Sequence, residues 1–302
     1  MGGGVRVSGA PVVLDIDGAV GPLPGEHRLP LAAWHEALRF GCGMGTMRRF
    51  AAQLDESLPA AHGTVLMGSG DFHHLSWPLV ERAVRRRPPR SVRVVVLDNH
   101  PDNMRFPFGV HCGSWVLRVA RLPQVAQVHV LGITSSDIGA AHAWENHWSP
   151  LRSGRLVYWS TGVDVTWARR FGLGAAFRAF AGVDELAAAA AEAFQRDPMP
   201  TYFSVDKDVF APGVVTTNWD QGRFGRAHAQ AVLQALRGQV IASDITGEVS
   251  SWRYRTWWKR WLSAHDGQDT ACADPRLPEW QDGQRRLNLS LLDWIAAAHA
   301  EN

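Results

Sequence analysis

Runs of strand character taking turns with helix-periodic segments constrain this chain most. The apolar runs are Val12 to Asp17, Val65 to Met67, Val92 to Leu97, Val125 to Ile133, Arg155 to Ser160, Tyr202 to Val205 and Gln239 to Ile245. Between them lie apolar-periodic stretches: about Leu31 to Phe40, the segment LVERAV after Ser76 and Pro78, Ser114 to Val119, the alanine-rich stretch behind Asp184, and Ala227 to Leu236. Such alternation predicts an α/β fold: a three-layer α/β/α arrangement with a mainly parallel central sheet. No internal repeat or linker divides the 302 residues, so one domain over 1–302 is expected, with a Trp/Arg-rich C-terminal extension from about residue 250.

Charge and cysteine usage narrow the functional classes. A net charge of +2 provides no domain-wide basic excess for a nucleic-acid partner. Cys42, Cys112 and Cys272 are odd in number and widely spaced, which argues against a disulfide framework and against a zinc CxxC pair. The absence of a long apolar run and of a signal-like start leads to the expectation of a cytoplasmic protein with no membrane partner.

Three blocks follow strand-like runs and carry the chemistry: GDFHH at Gly70 to His74, LDNHPD at Leu97 to Asp102, and FSVDKD at Phe203 to Asp208. In an extended segment every second side chain shares a face, so Asp98, His100 and Asp102 are expected to point one way, and Asp206 with Asp208 likewise. Ligands of open parallel sheets bind beyond the carboxyl ends of the strands, where these blocks fall. Strand-end aspartates also cap turns. Three such blocks together are better explained by a shared ion, because crowded carboxylates otherwise repel one another. A carboxylate-rich donor set with His and no sulfur favours a hard divalent ion such as manganese.

These motifs resemble those of the ureohydrolase superfamily, the arginases and agmatinases: GSGDFHHLS, LDNHPDN and FSVDKDVFAP stand where that family has GGDHS, DAHxD and SFDxDxxDP. The resemblance implies an arginase-like fold and two Mn2+ ions held by Asp98, His100, Asp102, Asp206, Asp208 and either His73 or His74. It further implies that Glu248, in SDITGE, grips a substrate guanidinium, although one extra residue separates it from Asp244, and that His111 shuttles protons. An unperturbed imidazole could supply a proton near pH 7. The loop Asn103 to Val110 lacks the hydroxyl side chains that read a free amino acid. With the Trp-rich composition, this makes the chain similar to a distant branch that includes peptide arginases, which convert Arg residues of ribosomal precursor peptides to ornithine and urea. The implied partner is then a precursor peptide, with a homo-oligomer possible. The alternatives are a ureohydrolase of free arginine or agmatine, and a non-enzymatic metal-binding interaction protein.

Three further features invite a role. Asp15 and Asp17, in VVLDID, resemble the paired aspartates of haloacid-dehalogenase-type phosphatases, but no later lysine and paired-acid motifs accompany them. Tyr254, Trp257, Trp258 and Trp261 fall at helical spacing and are expected either to pack into the core or to form an exposed aromatic surface. Trp219 and Asp220 are expected to line the mouth of the site, with Asp220 holding a cationic substrate.

Overall fold

A computed structural model describes residues 9–265 and 274–300. Cys272 lies outside the described residues. Among the described residues eleven strands form: β1 Val12–Asp15, β2 His27–Pro30, β3 Gly41–Cys42, β4 Val65–Leu66, β5 Val92–Leu97, β6 Val110–His111, β7 Val125–Ile133, β8 Leu156–Thr161, β9 Phe177–Phe180, β10 Thr201–Asp206 and β11 Val240–Thr246. Nine of them make one sheet in the order β2-β1-β4-β11-β10-β5-β7-β8-β9, and every pairing in it is parallel. The short strands β3 and β6 pair antiparallel at one side. The expected three-layer α/β fold is therefore the observed one.

Period-two patterning explains why the central strands are apolar on both faces. In β5, Val92, Val94 and Val96 join a core layer with Phe50, Leu54 and Val80, while Val95 and Leu97 join the opposite layer with Phe194, Leu233, Leu287 and Ile295. Each fully buried aliphatic side chain of this kind contributes roughly 1.5–3 kcal/mol. The helix Leu277–Ala298 thus seals one face of the sheet through Leu287, Leu291 and Ile295. Among the described residues, no helix is long and apolar enough to cross a membrane.

Some local expectations change. The helix expected over Leu31 to Phe40 is a 3-10 turn, Ala32–Trp34, and one α-turn, His35–Leu38, because the chain turns at Phe40 into a left-handed φ of 67° to enter β3. Asp184 lies within the alanine-rich helix Val183–Arg196 and not ahead of it. It sits in the first turn, where a negative charge suits the helix dipole. The helices Met44–Ser57 and Leu277–Ala298 and the edge strands β2 and β9 were not expected from the sequence.

Candidate metal centre

Register builds the site. In the pairing of β10 with β5, Val205 lies opposite Leu97, so Asp206 and Asp98 leave the carboxyl ends of adjacent strands side by side. The pleat does not do the rest. β5 ends at Leu97, and Asp102 turns back with a left-handed φ of 47°, its carboxylate Oδ2 accepting from the Trp115 indole at 2.6 Å. Likewise Asp208 lies in the 3-10 turn Lys207–Val209, not in an extended strand. The expected convergence occurs, but loop wrapping produces it, not alternation along an extended chain.

His73 resolves the choice left open within the first block. Its Nδ1 lies 3.1 Å from Asp98 Oδ2, 2.9 Å from Asp102 Oδ2 and 3.4 Å from Asp206 Oδ2. His74 is fully buried and belongs to neither group of candidate donors. The first group is His73, Asp98 and Asp206; the second is Asp98, His100 and Asp208, with ligand atoms in each group within 4.8 Å of one another. His100 Nδ1 is 2.9 Å from Asp208 Oδ2 and 3.6 Å from Asp98 Oδ1. Asp98 is common to both groups. His73 Nδ1 and Asp98 Oδ2 are buried and close but misaligned for a hydrogen bond, as expected of donors aimed at a common ion. The residues present therefore fit two hard divalent ions.

Electrostatics agree. Burial and the neighbouring Asp98 push the Asp102 carboxyl up to about 7 and Asp208 up to about 6, and burial with Asp208 raises Asp206 well above the usual range. His73 and His100 are raised well above an ordinary imidazole: burial works against them, and the carboxylates around them prevail. Without a cation, these groups must share protons to coexist.

Outer contacts orient the ring donors. His73 Nε2 lies 3.1 Å from Ser204 Oγ, which donates to Asp244 at 2.6 Å; Tyr202 donates to the other oxygen of Asp244 at 2.6 Å. His100 Nε2 lies 2.7 Å from Asp220 Oδ1, and Asn99 Nδ2 donates to Asp220 Oδ2 at 3.0 Å. Asp220, expected to hold a cationic substrate, thus pairs with His100 at the cleft wall. A carboxylate there fixes the tautomer that frees Nδ1 for an ion. Asp220→Asn is expected to weaken manganese affinity roughly 10–100-fold, measurable by calorimetry; unchanged affinity would refute the orienting role.

The cleft over these donors has a volume of about 490 Å³ and is lined also by Gly70, Met104, His111, Ser135, Ser136, Asp137, His142, Glu145 and Trp219. Gly70 is closely packed: a Cβ there would stand 3.0 Å from the Trp219 ring and 3.2 Å from Asp206 Oδ2. Trp219 lies with its edge toward His100, ring centroids 5.9 Å apart, so its expected place at the mouth is the observed one. His111 also lines the cleft, but burial lowers its pKa to about 3, and its Nδ1 accepts from the Gly113 N–H at 3.1 Å. The ring is therefore neutral with its proton on Nε2, not the acid near pH 7 that an unperturbed imidazole would be. Ser135 and Ser136, in a segment not considered from the sequence, line the cleft as well.

Glu248 is not among the residues lining the cleft. It is 2 % exposed, and its Oε1 lies 2.6 Å from Lys207 Nζ and accepts from Asn288 Nδ2 at 2.6 Å. The expected guanidinium grip is thus occupied by an internal cation. Asp15 pairs with Arg28 at 3.0 Å, and Asp17 accepts from Ser69 N and Ser250 Oγ at 3.2 and 3.1 Å, beside Arg39. The two aspartates are structural, and the phosphatase-like reading is set aside. The aromatic stripe divides: Tyr254 is buried and donates to Asp71 at 3.0 Å, Trp258 is half-buried, and Trp257 and Trp261 are exposed. The helix Trp257–His265 buries Lys259, whose ammonium donates to the carbonyls of Glu36 and Arg39 at 2.7 and 2.8 Å.

Geometry of this kind defines a protein with a carboxylate-rich candidate two-ion site at the carboxyl ends of the central strands of a parallel sheet. Residues 35–251 match the family described as the arginase family, and the chain belongs to it. The fold is similar to proclavaminate amidino hydrolase from Streptomyces clavuligerus, at 16% identity and a TM-score of 0.55 over 96% of this chain and 93% of that one. It is also similar to Trypanosoma cruzi formiminoglutamase with Mn2+, at 14% identity and a TM-score of 0.50 over 85% of this chain and 72% of that one. An uncharacterized protein of Thermotoga maritima is 24% identical over 197 residues, which are 65% of this chain and 62% of that relative's length.

Proposed function

We propose that this chain is a metal-dependent hydrolase of guanidino carbon–nitrogen bonds, acting with two manganese ions on Arg residues within a precursor peptide to give ornithine and urea. The convergence of His73, Asp98, Asp102, Asp206 on one side and Asp98, His100, Asp208 on the other carries the reading. When bound, such ions acidify water toward neutrality and so supply a nucleophile. The chain's own groups do the positioning: Asp98 sets the spacing of the two donor groups, Asp220 and Ser204 hold the imidazoles, and the neutral His111 offers its Nε2–H. Asp137 and Glu145 are carboxylates of the cleft outside both donor groups, and no Lys or Arg lies among its described lining residues, so it favours a cationic group.

The peptide is supported by the lip of the cleft. Phe106 packs on His111 with ring centroids 4.4 Å apart, and next to it stand Phe108, 74% exposed, and Trp258. An aromatic lip gives a chain segment something to lie on. A small free guanidino compound is favoured instead by Ser135 and Ser136, which offer hydroxyls to a free amino acid's charged ends. Urea release from an Arg-containing peptide, arginine and agmatine by the manganese-loaded protein decides between them. The peptide is expected to have the highest kcat/KM, with a product mass corresponding to ornithine. A higher kcat/KM for arginine or agmatine would establish the small-molecule reading, and no urea from any of the three would refute hydrolysis.

A further inference from the structure

Lys207 stands between two candidate ligands, Asp206 and Asp208, yet turns away from the ion site. It is fully buried, and its ammonium lies 2.6 Å from Glu248 Oε1 and donates to Asn288 Oδ1 at 3.1 Å. Asn288 closes the triangle by donating to Glu248 at 2.6 Å. The three groups come from three elements: the turn after β10, the segment after β11, and the helix Leu277–Ala298. That helix also reaches the loop through Gln284, which donates to the Gly247 carbonyl at 3.0 Å. Gly247 in turn abuts the ligand loop so closely that a Cβ would stand 2.5 Å from Asp206 Oδ1, and its φ of +93° suits glycine alone.

A carboxylate that grips a substrate cation must present its charge to the cleft. Glu248 presents it to Lys207 inside the protein, where both groups have lost their water. A substrate drawing on Oε1 would have to break this buried pair, which would leave the ammonium uncompensated.

We propose that Lys207 is the permanent counter-ion of Glu248, and that the Lys207–Glu248–Asn288 triangle is a positioning device that fixes the Asp206–Asp208 ligand pair and does not bind substrate. The inference deepens the proposed function by moving recognition of the substrate cation away from Glu248. Its three residues are positioning residues, since none of them lines the cleft.

Two readouts that need no turnover test it. The first is manganese affinity by calorimetry on Glu248→Gln, on Lys207→Met and on the double variant. The second is the preference of the manganese-loaded protein for a Lys-containing peptide, which is cationic but carries no guanidino carbon to hydrolyse, over the same peptide with norleucine. Each single variant strands a buried partner and is expected to weaken manganese binding about tenfold, whereas the double variant, with no charge left unpaired, recovers most of it. The preference for the cationic peptide should survive in the double variant. Should a single variant fail to fold, the double variant still decides. Loss of the cationic preference in the double variant would make Glu248 a substrate carboxylate and overturn the proposal, as would single variants that bind manganese as tightly as the wild-type protein. Urea release enters neither readout, so the hydrolase reading can fail without this one.

Discussion

Asp98→Asn is expected to remove both metal ions and to lower turnover by roughly a thousandfold or more, the scale of several kcal/mol of lost ion-assisted stabilisation. The reason is the sharing of one carboxylate: Asp98 Oδ2 faces His73, and Asp98 Oδ1 faces His100. No other residue belongs to both donor groups. Asparagine keeps the volume and loses the charge, so the buried imidazoles would also face each other with less compensation. Asp208→Asn, by contrast, touches only the group containing His100 and should leave the ion beside His73 in place. Metal content measured by mass spectrometry beside turnover separates the two cases. A variant at Asp98 that still held two ions per chain would refute the shared-ligand geometry.

The second large effect concerns pH. In the metal-free protein the stability contributed by the Asp102 and Asp208 carboxyls is expected to be lost as pH rises from about 4 to about 8, by an amount on the order of 3 kcal/mol, and manganese should offset the loss. Asp102 and Asp208 have folded-state values of about 7 and about 6, raised above those of the unfolded chain, chiefly by burial and by Asp98. A group raised in this way contributes stability that is present in full below its unfolded pKa and is lost as pH rises through its folded pKa. The raised imidazoles of His73 and His100 act in the same direction, losing their contribution only above the ordinary imidazole range. Asp98 is held low against burial by the imidazoles of His100 and His73 beside it, and its contribution is lost only toward strong acid, outside this window. Metal binding must displace the shared protons, so affinity should rise over the same range. Calorimetric scans of the metal-free wild-type protein beside Asp102→Asn at several pH values provide the test, since the amide mimics the protonated acid and cancels the other titrating groups; a wild-type stability that does not fall relative to this variant between about pH 4 and about pH 8 would contradict the protonated cluster.

Much of the fold was legible because its signals are local. The run VRVVVL could only be a strand buried on both faces, and β5 and β7 have the bounds expected from their apolar runs. The candidate donors were legible too, because three blocks of carboxylates and imidazoles fall just past such strands. What the sequence could not carry was direction. Asp102 reaches the site through a left-handed turn stabilised by Trp115, a residue thirteen positions away that no spacing rule connects to it. Glu248 and Asp220 were expected at the substrate because their motifs place them near it, but Lys207, Asn288 and His100 claim them first. The one signal available was the rarity of lysine: only Lys207 and Lys259 occur in the chain, and both are buried.

The sequence by itself determined the α/β class, the central strands and the chemical identity of the donors, since these follow from periodicity and residue type within a few positions. Tertiary structure alone decided between His73 and His74, assigned Asp220 to His100, and locked Glu248 onto Lys207. Each of those choices depends on which distant group arrives within about 3 Å, the reach of a hydrogen bond, and that is set by strand register and helix packing.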